Sequence, residues 1–271
     1  MKRVLRKAEP PTLTVYRANA PQSTWQQMKN DAMYGGQNTY NDCRSQLIAD
    51  AGGICAFCEI DIRENNPLMC RVEHFHPKAD ITPEHNWALD WSNLFAVCAG
   101  GSYAHVTTAD HYMEPAKENL SCDAYKDQMI TTGKLSIDCD GWIINPALII
   151  TSPILLKIEM HTGRLIPNTT ACVEHPAWPN NKHADMETLV QNTIDMLNLN
   201  CDRLAQSRLR VIRNIEHNKK RERQAGHTAE QGMNNLARRY FTRRWPAFFT
   251  TIRLCLTPAA DQYLSQINYQ G

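Results

Sequence analysis

Nowhere in the 271 residues does an apolar run approach the roughly 20 needed to cross a bilayer as a helix. No apolar segment follows the basic start Met1-Lys-Arg-Val-Leu-Arg-Lys, so no secretory leader is expected and the protein is placed in the cytoplasm, away from membranes. No repeat recurs at a fixed period and no tract is of low complexity, which excludes solenoids, propellers and long flexible linkers. Bulk charge is lacking too, the net charge being +1. That near-neutrality hides an asymmetry: residues 200–254 hold thirteen Lys and Arg against four Asp and Glu, which leaves about −8 for the remainder. A basic segment in an acidic chain fits a polyanion such as nucleic acid, and equally a solvated helix face.

Cysteine, by contrast, is plentiful, at ten residues. Without an export signal, thiols kept reduced for metal binding are the better reading than disulfides. The 42% of apolar residues suffice for a core, and 21% charged residues is ordinary for a soluble protein.

Cys55-Ala-Phe-Cys58 follows the glycine pair Gly52-Gly53. A Cys-x-x-Cys turn brings two sulfurs to one side, where a tetrahedral zinc can take both. A thioredoxin-like redox pair is the competing reading, and no flanking βαβ pattern supports it. Cys98 and Cys122 complete a four-sulfur zinc set, with His105 or His111 as the alternative to Cys122. Cys43 and Cys70 are spares, while Cys139, Cys172, Cys201 and Cys255 read as small buried apolar residues.

Within this frame stand Glu73-His74-Phe-His76-Pro77-Lys78, then Asn93, then Asp123-Ala-Tyr-Lys126. Cleaving a phosphodiester needs a base to deprotonate water and a cation to absorb charge in the transition state. His74 suits the base, because an ordinary imidazole is largely neutral at cellular pH. Glu73 and Asp123 suit a hard cation such as Mg²⁺ or Mn²⁺. Asn93 can hold the loop or orient the imidazole, and Lys126 can touch phosphate. Singly, each has a plainer reading: a strand end, a turn residue, a helix N-cap. Their order inside a cysteine frame favours chemistry.

These motifs, with Leu89-Asp-Trp-Ser-Asn93-Leu94, Ile144-Asn-Pro146 and Leu197-Asn-Leu-Asn200, resemble the HNH endonuclease superfamily, most closely the PtuB-like nucleases of Septu-type anti-phage defence, including retron-associated versions. The resemblance implies an α+β fold: a ββα-metal core with a structural zinc site, followed by a mainly helical C-terminal region. It implies a metal-dependent endonuclease acting with a PtuA-like ATPase and, in retron versions, a reverse transcriptase with its RNA–DNA product. By it His74 is the general base, Glu73 a metal ligand and Asn93 the middle motif residue. The third position, often His or Asn, falls on Asp123, and His76 stands where related sequences often carry Arg. The alternative function is a catalytically silent, zinc-stapled binding subunit of the same kind of complex.

Three regions are expected: an N-terminal arm with short helices over 1–50, the nuclease core over 51–133, and short strands then basic helices over 134–271. The prolines at 10, 11 and 21 predict an extended arm with a short strand around Leu13–Tyr16. Helices are expected over 25–33, 41–51 and from Asp123, a strand over 71–75, and a loop then a helix start at Phe95–Cys98. Strands are expected over 134–140 and 142–144, and a hairpin over 154–167. After Pro179 come helices with an apolar stripe through Leu189, Val190, Ile194 and Leu197, a second N-capped by Asn200, and a third from Gln231. Lys78, Lys126, Arg208, Arg238 and Arg243 are the candidate nucleic-acid contacts, and Trp245, Phe248, Phe249, Ile252 and Leu256 read as core anchors rather than a base-stacking platform.

Overall fold

Proline at a helix's first position forfeits no hydrogen bond and presets the backbone, and that is how the N-terminal arm folds. In the computed structural model, which describes residues 1–63, 70–102, 116–242 and 244–271, Pro11 opens helix α1 (Pro11–Asn19), not a strand. Leu13 and Tyr16, one turn apart, bury against α3 (Gly36–Asp50). Between them lies α2 (Trp25–Asn30), started by a reciprocal capping box of Thr24 and Gln27.

The centre is a pair of antiparallel strands, β1 (Cys70–His74) and β2 (Leu94–Cys98), in register from Cys70 opposite Cys98 to His74 opposite Leu94. Phe95–Cys98 is thus strand, not the start of a helix. All five β2 residues are buried, because α3 and α4 (Cys122–Thr131) cover it as well as β1. A short apolar run buried on both faces loses the alternation that marks a strand.

Beyond α4 the expected strands over 134–144 are turns with a single bridge between Asp140 and Ile143. The hairpin is present, as β3 (Leu156–Ile158) and β4 (Leu165–Pro167). Helix α5 (Thr169–Glu174) precedes α6 (Met186–Met196), whose Asp185 cap accepts from the Thr188 N–H at 2.7 Å. Helix α7 (Asp202–Gln224) is capped at Cys201; Asn200 instead clamps Leu165, bonding its N–H at 2.7 Å and its carbonyl at 2.8 Å. Helices α8 (Ala229–Phe241), α9 (Phe249–Leu256) and α10 (Ala259–Gln266) complete the described residues.

Two apolar clusters hold these elements. The larger runs from Val4 through the β1–β2 pair to α6 and the first turn of α7. The other joins the later part of α7 to α8, α9 and α10 around Ile215, Leu236, Phe241 and Phe249, with Phe248 of the anchor set in the first cluster. Among the described residues no helix is long and apolar enough to cross a membrane.

Candidate active site and cysteine cluster

Four sulfurs meet under the β1–β2 pair. Cys55 and Cys58 come from the turn after α3, Cys98 from the end of β2, and Cys122 from the start of α4. Their sulfur atoms all lie within 4.8 Å of one another and all four residues are buried. Cys55 and Cys122 stand 3.8 Å apart, Cys58 and Cys98 3.6 Å. A tetrahedron of sulfurs about 2.3 Å from a central zinc has edges of about 3.8 Å, so the spacing fits that ion. Backbone amides complete the cradle: Cys98 N–H points at the Cys55 sulfur at 3.3 Å and Gly100 N–H at the Cys98 sulfur at 3.4 Å. Cys55 is pulled below its usual thiol range, against burial, by hydrogen bonds from the other three sulfurs, while burial pushes Cys58 and Cys122 up. Those are the thiols a soft divalent cation would deprotonate together.

Backbone geometry lets the chain close on this point. Cys122 sits in the left-handed region at φ 55°, turning its sulfur inward as α4 begins. Gly100, at φ 66°, lies so close to Ser121 that a side chain would collide with the Ser121 carbonyl. None of the ten cysteines is in a disulfide, and the other six lie buried outside the cluster. His105, His111 and Arg243 fall outside the described residues.

Glu73 and His74 end β1. The imidazole of His74 is buried: it meets the Trp25 ring edge-on, centroids 4.8 Å apart, and its Nε2 lies 3.1 Å from the Ala88 carbonyl. A carbonyl only accepts, so Nε2 carries the proton and Nδ1 keeps the lone pair. Burial lowers the His74 pKa to about 4, with Lys78 assisting and Ala88 and Asp123 opposing, so the ring is neutral well below pH 7.

Asn93 ties the loop between the strands. Its Oδ1 accepts from His76 N–H at 2.6 Å, and its Nδ2 donates to the carbonyls of His76 at 3.0 Å and Trp87 at 2.9 Å. Phe75 N–H donates to the Asn93 carbonyl at 3.0 Å. The amide therefore closes the loop at its base, directly after the imidazole.

Arg71 and Glu73, two apart on β1, share a face, as do Asp123 and Lys126 one turn apart on α4. The two faces meet: Arg71 pairs with Asp123 at 3.4 Å, and Lys126 pairs with Glu73 and donates to the His74 carbonyl at 3.2 Å. Burial raises the Asp123 carboxyl pKa and lowers that of Lys126. Glu73, Asp123 and Lys126 thus meet where one face of β1 packs on α4, whereas His74, the next residue along the strand, turns its ring to Trp25 and the Ala88 carbonyl, Asn93 closes the loop beyond it, and Lys78 is exposed.

The remaining candidates separate. Lys126 is 4% exposed and held by Glu73, so it is not a free surface ammonium for phosphate. Arg208 is 2% exposed and spends its donors on Gly163 and Leu199 carbonyls, so the expected nucleic-acid contact is a buried strut. Arg238 is exposed. Sequence reasoning missed Trp25, whose place on His74 joins residues 49 positions apart with no local signal. It also missed Trp87, flanked by His76 and His85 at 4.1 and 4.3 Å.

No family model matches the chain. Over 214 residues it is 34% identical to an Escherichia coli protein named "Retron Ec83 putative HNH endonuclease", an overlap covering 78% of this chain and 79% of that relative. With the likeness spanning most of both chains, this protein belongs to the HNH endonucleases.

Proposed function

We propose that the protein is a metal-dependent HNH endonuclease that hydrolyses phosphodiester bonds of nucleic acid as the effector of an anti-phage system, with β1, β2 and α4 forming its ββα-metal core. The observation that carries this reading is a buried, neutral imidazole at the end of β1, next in the strand to Glu73, whose face of the strand meets Asp123 and Lys126 of α4 through the Arg71–Asp123 and Glu73–Lys126 pairs. His74 Nδ1 accepts the proton of an attacking water, and the Ala88 carbonyl keeps the ring in that tautomer. Glu73 and Asp123 are the carboxylates to hold Mg²⁺ or Mn²⁺, which when bound polarises the phosphate and eases departure of the leaving oxygen. Asn93 keeps the loop beyond His74 in place, and Lys126 balances the charge of Glu73. Cys55, Cys58, Cys98 and Cys122 hold a structural zinc. Exposed Arg238 and Lys78 are candidate contacts to the nucleic-acid backbone.

The relative's name supports a retron setting; the partners proposed for it are a reverse transcriptase with its RNA–DNA product and a PtuA-like ATPase, in the cytoplasm. The test is cleavage of plasmid, single-stranded DNA and total RNA by the purified chain, with and without the ATPase, in Mg²⁺ or Mn²⁺. Metal-stimulated cutting that His74→Ala abolishes is expected; equal cutting by that variant removes the catalytic assignment.

A further inference from the structure

Helix α7 buries two guanidinium groups. Arg203 and Arg208 are each 2% exposed, and among the described residues neither has a carboxylate within ion-pair distance. Arg208 bonds to the Gly163 and Leu199 carbonyls at 2.6 Å and to Asn200 Oδ1 at 3.2 Å. Arg203 bonds to Ser121 Oγ at 2.6 Å and the Asn119 carbonyl at 3.4 Å, and Gly101 leaves room beside its Nε. An arginine keeps its charge at any working pH, and burying a charge without an opposite one is strongly unfavourable. Something anionic must therefore lie nearby.

For Arg203 the nearby candidate is the cysteine cluster. Ser121, which Arg203 holds, directly precedes Cys122, and Gly101 is three residues past Cys98. Burial lowers Arg208 to about 10 while the charges of Cys201, Cys58 and Glu59 oppose the fall and Arg203 adds to it; burial also lowers Arg203, but the charges of Cys98, Cys201, Cys58 and Cys122 leave it above the ordinary arginine value. The segment carrying these arginines grips the chain that delivers Cys122. Cys122 N–H donates to the Leu197 carbonyl at 2.9 Å, Asn198 Nδ2 to the carbonyls of Glu118 at 3.0 Å and Leu120 at 2.8 Å, and Arg203 N–H to Asn119 Oδ1 at 3.2 Å.

We propose that Arg203, with Arg208 behind it, is the buried counter-ion of the metal-loaded cysteine cluster, so that zinc binding and seating of α7 on the nuclease core are one event. Four thiolates around one divalent ion carry a net charge of minus two, and the two guanidinium groups match it. The inference rests on the zinc reading above. It gives the start of the basic helix an interior role and leaves Arg210, Arg213, Lys220 and Arg221 outside.

The test is zinc retention by the purified full chain against a colorimetric chelator. Wild type is expected to hold one zinc; Arg203→Gln should weaken retention about 10–100-fold, as loss of a partner to the metal's ligands does. Arg203→Lys keeps the charge and should stay close to wild type, as should Arg210→Gln on the exposed face. Hydrogen exchange of wild type adds a reading that needs no variant: stripping the zinc should expose residues 202–209 together with 55–58, while 229–241 stays protected. Zinc held equally by Arg203→Gln, equal losses in the Gln and Lys variants, or unchanged protection at 202–209 would overturn the counter-ion role while leaving the zinc site standing. A wild type that takes up no zinc overturns both.

Discussion

The Nε2–H of His74 donates to the carbonyl oxygen of Ala88 at 3.1 Å, leaving Nδ1 as the one basic atom of a buried ring. Strand β1 supplies the histidine and the loop closed by Asn93 supplies the acceptor, so the fold itself sets the orientation of the ring. His74→Ala should lower cleavage about 10²–10⁴-fold, the usual contribution of a general base. Zinc content, read by elemental analysis, should stay at the wild-type level. Loss of zinc together with activity would mark the residue as structural.

His74 also makes stability depend on acid. Its folded pKa of about 4 lies below the ordinary imidazole value, so the fold prefers the neutral ring. That preference is fully present above about pH 6.5 and is lost as pH falls toward 4. At pH 5 the protein should have lost about 2 kcal/mol of unfolding free energy through this one group. His74→Asn should lose less on the same descent, as read by urea unfolding at pH 7.5 and pH 5. Parallel losses in the two proteins would refute the assignment.

Asn93 makes three side-chain hydrogen bonds while 3% exposed. Asn93→Ala leaves the His76 N–H and two carbonyls without this partner and should cost about 2–4 kcal/mol. Because the loop it closes starts directly after His74, kcat should fall at least as far as stability. Unfolding midpoints and single-turnover rates compare the two directly, and an Ala variant with wild-type values in both would exclude the clamp.

Cysteines inside and outside the cluster should behave differently. Cys98→Ser removes one sulfur from the tetrahedron and should cost the bound zinc and about 4 kcal/mol or more, a fall of roughly 10 °C in Tm. Cys43→Ser, buried in α3 away from the cluster, should keep a full zinc complement. Zinc retained by the Cys98 variant would mean that another residue completes the site.

Two arginines expected on one nucleic-acid surface should now part company. Arg208→Glu places an acid among buried carbonyls and should prevent folding or cost about 3–5 kcal/mol. Arg238→Glu, on the exposed side of α8, should leave the unfolding free energy within about 0.5 kcal/mol of wild type while weakening nucleic-acid binding and flattening its salt dependence. Binding unchanged in the Arg238 variant would move the nucleic-acid surface elsewhere.

The residues of the four-sulfur cluster were legible because tight turns and spacing constrain a metal set locally, even across the 23 residues between Cys98 and Cys122. The first three helices after Pro179 were legible because each exposes one face, which writes a 3.6-residue period into the chain, whereas α9 and α10 were not read as helices, α9 being buried nearly all round. Phe95–Cys98 was read wrongly because a strand covered on both sides carries no period at all. The proline-rich start was read as extended because proline is equally at home in the first turn of a helix; what settles it is the burial of Leu13 and Tyr16 against α3.

By itself the chain offered the candidates for its chemistry: the cysteines of the cluster, the imidazole, the carboxylates and the amide, each picked out by residue type and near neighbours. Only the tertiary structure decided their surroundings. Trp25 dries His74, Lys126 faces inward to Glu73, and Arg203 and Arg208 lie inside a helix that reads as basic surface. The reason is physical: a side chain's chemical identity is a local property, whereas its solvation and its opposite charge come from segments that packing brings together across the sequence.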